Sequence, residues 1–473
     1  MNLRLTGGLS KEELDKFHEK VLYLIKNSGI EVPNEIVLKR LSDHKGVHIK
    51  ENLVTFDADL VNKYVFNIEF DLPDYFNKSK FLIITGNMNP TIKDSHSGEI
   101  RFANSKDLKK ATKLEDSYDI TGSASVRPND IPQHLQEIFM YKVLWENSKY
   151  KGNDIFEHNP KSTIPCCEYI YEMAKVVDKR FTVGLWIESP KMLNKKELEI
   201  VNNFLDKNIP MWVGNFPIYG VSTPIFIESG LAQATAELFS AYLVLKLLNE
   251  NNQVYLQLID SIMGHPFDWK YGTLVLSSVE DIIKTIYQVS LNNYYNIPVV
   301  GMTLLSCGKE TDCQQGFEKG VHTLIAALSG VRAFRAPGYL ATDSPYYPEQ
   351  LVIDMEMVEF IEKIMNRKDF DFNKILMDKV INIKPGGNFF GDEITAAHHK
   401  EEYWDPVLFN HMSLDTWRKN GSQPLTVKAK EIIESRVKNH NYKIDEGKQR
   451  ELDKIYSKAL NDKGLIKSYK NGI

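Results

Sequence analysis

The sequence predicts an α/β protein: a (β/α)8 TIM barrel with an N-terminal helical and β addition and C-terminal helices. Three observations predict it. From about residue 106, short β-branched or aromatic runs alternate with longer amphipathic stretches, the signature of βα units. Eight such units fit a barrel, usually built from roughly 250 residues, better than an open doubly wound sheet. No strand candidate is followed by G-x-G-x-x-G, the usual mark of a dinucleotide-binding sheet.

Residues 1–105 read as the N-terminal addition. Ser10 and Glu13 have capping-box spacing, and Leu14, Phe17, Val21, Leu24 and Ile25 follow at helical intervals. The pattern then turns β-rich at 47–56, 80–84 and 99–103, broken by turn signals at Gly86-Asn87 and Ser97-Gly98. The barrel is expected over 106–410. Its strand candidates are 121–126, 162–166, 181–187, 211–216, 254–259, 299–305 and 331–336, with a weak eighth at 388–390. Helices are expected over 132–147, 195–207, 228–249, 279–295, 314–329 and 348–366. Residues 411–473 form a charged helical extension, expected to pack outside the barrel or on a neighbouring subunit.

The chain has 473 residues, 42% apolar and 26% charged, which is ordinary for a globular protein. Its 58 Lys and Arg against 63 Asp and Glu leave −5, too small a balance to make nucleic acid an expected partner. No uninterrupted apolar run approaches the ~20 residues that span a bilayer, so no membrane partner is expected. The first residues lack an export signal's charged and apolar regions, and a cytoplasmic location is expected. Cys166, Cys167, Cys307 and Cys313 match neither a disulfide framework nor paired C-x2-C zinc spacing; reduced thiols and no bound metal are expected.

In a barrel, the active site lies where strands run out into the following loops. Those loops are rich in aromatics: Trp186, Phe216, Tyr219, Phe267, Trp269, Tyr339, Tyr346 and Tyr347. Rings converging on one mouth would hold a quaternary ammonium, because a ring face attracts a cation that cannot donate hydrogen bonds; the alternative for each is packing. Arg332 and Arg335 flank the seventh strand, where a guanidinium suits bidentate capture of a carboxylate or, alternatively, makes a surface ion pair. Glu188, Asp260 and Asp312 are acidic candidates at the same rim, with Asp312 also placed to cap a helix. P-loop, G-x-S-x-G and H-E-x-x-H motifs are absent, so phosphoryl transfer, α/β-hydrolase chemistry and zincin proteolysis lose their usual support.

Five blocks resemble the trimethylamine methyltransferase family, in particular members without pyrrolysine that demethylate quaternary amines such as glycine betaine. They are DLKKATKLEDSYDITGSASVRPNDIP (107–132), YGVSTPIFIESGLAQATAELFSAYLVLKLLN (219–249), TDCQQGFEKGVHTLIAALSG (311–330), YPEQLVIDMEMV (347–358) and GGNFFGDEITAAHHKEEYWDPVL (386–408). The resemblance implies a (β/α)8 barrel that binds a methylated amine and docks a separate corrinoid (cobalamin) protein, with no cofactor held tightly by this chain. It implies attack by Co(I) on an N-methyl carbon. The C–N bond breaks, its electron pair stays on nitrogen, and the methyl group leaves on the partner's cobalt. Asp312, Gln314 and Glu318 stand at the family's D-x-Q-x-G-x-E motif and are the catalytic residues it implies. Glu349, Gln350 and Asp354 stand at its E-Q-L-x-x-D motif. Pyrrolysine would fall near 306–309, where this chain has ordinary residues, so trimethylamine itself is not the expected substrate.

Arg332, Arg335 and Asn388 stand where the family resemblance leads to Asn and His. An arginine in the mouth repels a trimethylammonium group unless it neutralises a substrate carboxylate, which favours a zwitterionic betaine of glycine betaine, carnitine, butyrobetaine or proline betaine type. The expected substrate-binding set is Trp186, Phe216, Tyr219, Asp260, Arg335, Tyr339, Tyr346 and Glu349. The expected partners are a cognate corrinoid protein and a small quaternary amine, with the chain itself a homo-oligomer. A catalytically silent betaine-binding barrel is the alternative from another class, and a cofactor-free barrel lyase is a third.

Overall fold

The computed structural model describes residues 5, 7–68, 80–152, 163–251, 253–256, 264–367 and 369–472. The first helix, Lys11–Asn27, begins at its capping box: Glu13 N donates to Ser10 Oγ (3.3 Å), and Ser10 N donates to the Glu13 carboxylate (2.8 Å). Val21 and Ile25 bury its inner stripe. Strands Ile30–Glu31, Val47–Lys50 and Leu53–Phe56 pair antiparallel among themselves and reach the main sheet through Met192–Leu193.

Parallel strands form two sets. Val183–Glu188, Met211–Asn215 and Val254–Leu256 pair with Met211 opposite both Val183 and Val254. Val300–Gly301, Ala333–Arg335, Leu82–Thr85 and Thr121–Gly122 make the second set, with Arg335 opposite Ile84 and Ile84 opposite Thr121. Lys151 adds a parallel bridge to Gly122. The 211–215 strand is buried at every position, as parallel strands are when helices cover both faces. The covering helices are Ser105–Asp116, Gln136–Asn147, Ile164–Val177, Lys195–Phe204, Ile227–Leu248, Val279–Tyr294, Cys313–Ser329 and Pro348–Met365. Among the described residues, no pairing joins 254–256 to 300–301. The fold established is mixed α/β with parallel strands.

Three strand expectations are corrected. The 162–166 candidate opens a helix instead, Ile164–Val177: Thr163 Oγ1 accepts from Cys166 N at 3.4 Å and Pro165 sits in the first turn, where its missing N–H costs nothing. The 388–390 candidate forms no strand and is exposed. The missing parallel strand is Leu82–Thr85, assigned from sequence to the N-terminal addition; it lies between Ala333–Arg335 and Thr121–Gly122. A hairpin of Thr91–Lys93 and Ile100–Phe102 separates it from its following helix, which hides the βα unit in the sequence pattern.

Beyond Met365 the chain changes character. Among the described residues from 369 to 424, Leu408 is the one buried side chain. Helices Leu425–Asn439 and Glu446–Leu460 then pack back on the body through Ala429, Ile433, Leu452 and Ala459. One helix among the described residues, Ile227–Leu248, is long and apolar enough to cross a membrane, and most of it lies inside the fold.

Candidate active site

Loops leaving the parallel strands meet at one end of the sheets: Asn89 bridges to Val126, Ile92 to Tyr346, Ser306 to Thr342 and Ile218 to His265. His265 is held by its backbone, since His265 N donates to Pro217 O and Tyr219 N donates to His265 O, both at 2.9 Å. Its ring is fully buried and stacks on Phe216, centroids 3.8 Å apart and planes 22° from parallel. Among the described residues, neither ring nitrogen has a hydrogen-bond partner. Burial above all, then the Lys284 ammonium, pushes its pKa down to about 3 against the pull of Asp281, with Arg335 adding to the lowering. The imidazole is therefore neutral, one nitrogen a donor and the other an acceptor. Stranding such groups costs roughly 1–3 kcal/mol each, a cost characteristic of sites kept for function.

Tyr219 lies beside it. The Tyr219 ring is buried, and among the described residues its hydroxyl has no partner. Gly230 and Gly264 make room for this ring: a Cβ on either would fall 2.2 Å or 2.4 Å from Tyr219 Cε1. Burial, then the charges of Asp281 and Glu228, push the phenol pKa far up, so the hydroxyl keeps its proton as a donor.

Arg335 ends its strand buried, and its charge is felt at His265, Tyr339 and Asp343. Lys284 Nζ is bound to Asp281 at 2.8 Å, and Ser277 N donates to the same carboxylate at 2.8 Å. His322 sits between Ser277 Oγ (2.9 Å) and Thr285 Oγ1 (2.8 Å), its pKa pushed down to about 4 by burial. This end of the sheets thus holds a neutral π surface, a buried phenol donor and a buried guanidinium.

The residues expected from sequence divide into two groups. Phe216 and Tyr219 come together at His265, and the charge of Arg335 is felt there. Trp186 packs edge-on against Trp212 at 5.4 Å, at the margin of the core. Tyr339 and Tyr346 are wholly buried and their hydroxyls are spent: Tyr339 donates to Ser125 O (2.8 Å) and Tyr346 to the Glu115 carboxylate (3.1 Å). Glu115 also pairs with buried Lys151 at 2.9 Å, which fastens the first three loops together. Glu349 faces the hairpin and Ser95, its pKa raised by burial. Asp260 lies outside the described residues. Glu188 accepts from Asn194 Nδ2 at 2.5 Å, and Arg332 turns back to the carbonyls of Ala327 and Val331, both 2.8 Å.

The motif residues act as fasteners. Asp312 caps the Cys313–Ser329 helix, accepting from Gln314 N (2.9 Å) and Gln315 N (3.2 Å). Gln314 Nε2 donates to Glu318 (2.7 Å), whose other oxygen accepts from Cys307 N (3.1 Å) and holds the 306–309 loop. Asp354 accepts from Lys319 Nζ and Gly338 N, both at 2.8 Å, and from Gln350 Nε2 at 2.7 Å. The sequence does not single out His265, because it belongs to no zinc spacing and a lone His-Pro after an apolar run carries no motif. The Asp281–Lys284–His322 cluster was missed too; its members look like ordinary helix polar residues until the helices pack.

Comparison with known proteins places the chain. The solved structure of a hydroxylamine MtmB complex superposes with a TM-score of 0.50 at 9% identity, over 96% of this chain and 89% of that one. The glycine betaine methyltransferase of Desulfitobacterium hafniense (strain Y51) is 19% identical over 429 residues, 87% of this chain and 88% of that protein. The L-carnitine:corrinoid methyltransferase of Eubacterium limosum is 19% identical over 455 residues, 90% of this chain and 92% of that one. Trimethylamine methyltransferase MttB of Methanosarcina thermophila is 25% identical over 264 residues, covering 56% of this chain and 53% of its own length. The family described as trimethylamine methyltransferase (MTTB) matches residues 2–462. By that match, this chain belongs to the trimethylamine methyltransferase family.

Proposed function

We propose that this chain moves a methyl group from a carboxylated quaternary amine, of glycine betaine, carnitine, butyrobetaine or proline betaine type, to the Co(I) of a separate corrinoid protein. The relatives that align over most of their length are named for glycine betaine and for carnitine with a corrinoid. The observation that carries the reading is the buried neutral His265, stacked on Phe216 with Arg335 nearby. A quaternary ammonium donates no hydrogen bond, so aromatic faces are its natural seat, and a protonated imidazole would expel it. Arg335 takes the carboxylate, with the Tyr219 hydroxyl as second donor, and that contact fixes which end of the substrate turns outward. The departing tertiary amine keeps the electron pair of the broken C–N bond, so the site needs no general acid. The protein's work is orientation and exclusion of water.

The corrinoid supplies the nucleophile that accepts the methyl group. The rim suits a protein partner: Val221, Ile225, Phe226, Trp269 and Tyr271 stand more than half exposed beside Phe216. We read the seven parallel strands with the Lys151 bridge as the eight staves of a (β/α)8 barrel; the pairings give two runs, from 300–301 round to Lys151 and from 183–188 to 254–256, and the barrel reading joins them. On that reading the barrel begins near residue 80, with residues before it and beyond 365 as additions. The test mixes the purified protein with reduced cobalamin or a cognate corrinoid protein and follows methylation by absorbance across betaines and trimethylamine. A betaine-dependent signal supports the reading. Betaine-induced thermal stabilisation without methyl transfer would replace it with the silent binding barrel.

A further inference from the structure

We infer that residues 369–424 form an arm that clasps a second copy of this chain and seats its apolar side chains in the groove between helices Cys313–Ser329 and Pro348–Met365 of that copy. Helices Met377–Asn382, Glu393–Glu402 and Leu414–Lys419 have no buried residue at all. Helices this short are not stable alone in water, and most helical stability in proteins comes from burying a face. Yet the arm is an organised piece: Lys374 pairs with Glu402 and Lys379 with Asp392, while Asp392 and Ser413 cap their helices.

What it exposes is apolar. Phe370 is 74% exposed, Phe372 76%, Phe390 91% and Tyr403 78%, with Met377, Val380 and Ile381 beside them in sequence. Aromatic side chains each bury about 150–250 Å², so these residues offer roughly 1,000 Å² per chain. That exceeds the roughly 300–600 Å² patch a monomer carries. Doubled across a symmetric pair, it reaches the size of an obligate homodimer interface, about 2,000 Å² or more.

The same chain carries a matching seat. The groove encloses about 700 Å³ and is lined by Phe317, Leu324, Met357, Phe360, Phe409 and Leu425, with Phe317 two-thirds exposed. Phe409 lies in the arm and Leu425 directly follows it, so groove and arm adjoin. A twofold pair needs one patch that is complementary to itself, and an arm beside its own kind of groove supplies that by exchange. Charge allows it: residues 369–424 hold six Lys and Arg against nine Asp and Glu, a balance of −3 that leaves repulsion between copies small. An apolar surface of low net charge favours a copy of this chain over a strongly charged partner.

Sedimentation of the full chain over a range of micromolar concentrations tests the inference. A particle of twice the chain mass is expected. Phe372→Glu with Phe390→Glu should weaken dimerisation at least 100-fold while far-UV circular dichroism stays unchanged, because both side chains are exposed. Phe317→Glu in the groove should do the same. A monomeric wild-type chain, or a dimer indifferent to both changes, would overturn the inference. So would a monomer whose arm variant loses only its complex with the corrinoid protein, since the arm would then belong to that partner.

Discussion

Under the proposed function, a single arginine decides the charge of the substrate. Arg335 brings a buried positive charge to the end of the 333–335 strand, within electrostatic reach of His265 and Asp343. Replacing it with alanine should raise KM for a betaine at least tenfold, while a quaternary amine with an uncharged tail binds as well or better. Steady-state kinetics on both substrates checks this, and equal losses on the two would remove the carboxylate role. His265 and His322 bear on acid stability. Both are neutral in the fold, with pKa values of about 3 and about 4, against the ordinary 6.5 of the unfolded chain. Below 6.5 the unfolded chain takes up protons that the native state refuses, so stability rises with pH across the window from about 4 to 6.5 and is lost on acidification. At pH 5 each histidine costs about 2 kcal/mol. Denaturant unfolding at pH 5 and 7.5 should show His265→Leu losing about 2 kcal/mol less than wild type between the two. Arg335, Phe216 and Tyr219 were legible in the sequence because strand ends and residue chemistry point to them. That Tyr339 and Tyr346 spend their hydroxyls on Ser125 and Glu115 was not, because those partners lie more than 200 positions away.

At the scale of elements, the 313–329 and 348–365 helices are locked by one buried ion pair. Lys319 and Asp354 are fully buried, and burial pushes both toward their neutral forms while their mutual attraction opposes it. Lys319 Nζ also donates to Tyr339 O at 3.0 Å, so the pair anchors the loop that follows Arg335. Lys319→Met leaves a carboxylate stranded and should destabilise the fold by about 3–5 kcal/mol, whereas Lys319→Met with Asp354→Leu should recover most of that. Thermal unfolding of the three proteins compares them; a double variant as unstable as the single one would deny the pairing its role. Most helices were legible, their apolar stripes and caps marking several ends to within a residue, as at Cys313–Ser329 against 314–329; Ile164–Val177, read as a strand, was the exception. Strands were less so. Parallel strands of two to six residues, buried on both faces, carry no alternation, and the inserted hairpin disguised Leu82–Thr85 as part of something else.

At the scale of the whole molecule, the N-terminal segment encloses a helix from the middle of the chain. Lys11–Asn27, Glu35–Leu41 and Ala58–Val65 all pack on Ile227–Leu248, which is buried nearly all round. That arrangement sets a schedule for synthesis. A 22-residue apolar helix leaving the ribosome is a substrate for membrane insertion or for aggregation until something covers it. Here the covering helices are made about 160 residues earlier, so the helix is born next to its own shelter. In cell-free translation with membrane vesicles, the full chain should remain in the supernatant, while a chain lacking residues 1–65 should pellet with the vesicles. A truncated chain that stayed in the supernatant would mean that later elements shelter the helix instead. If the truncated chain pellets, the N-terminal segment acts as a folding escort built into the polypeptide, effective before the later elements are made.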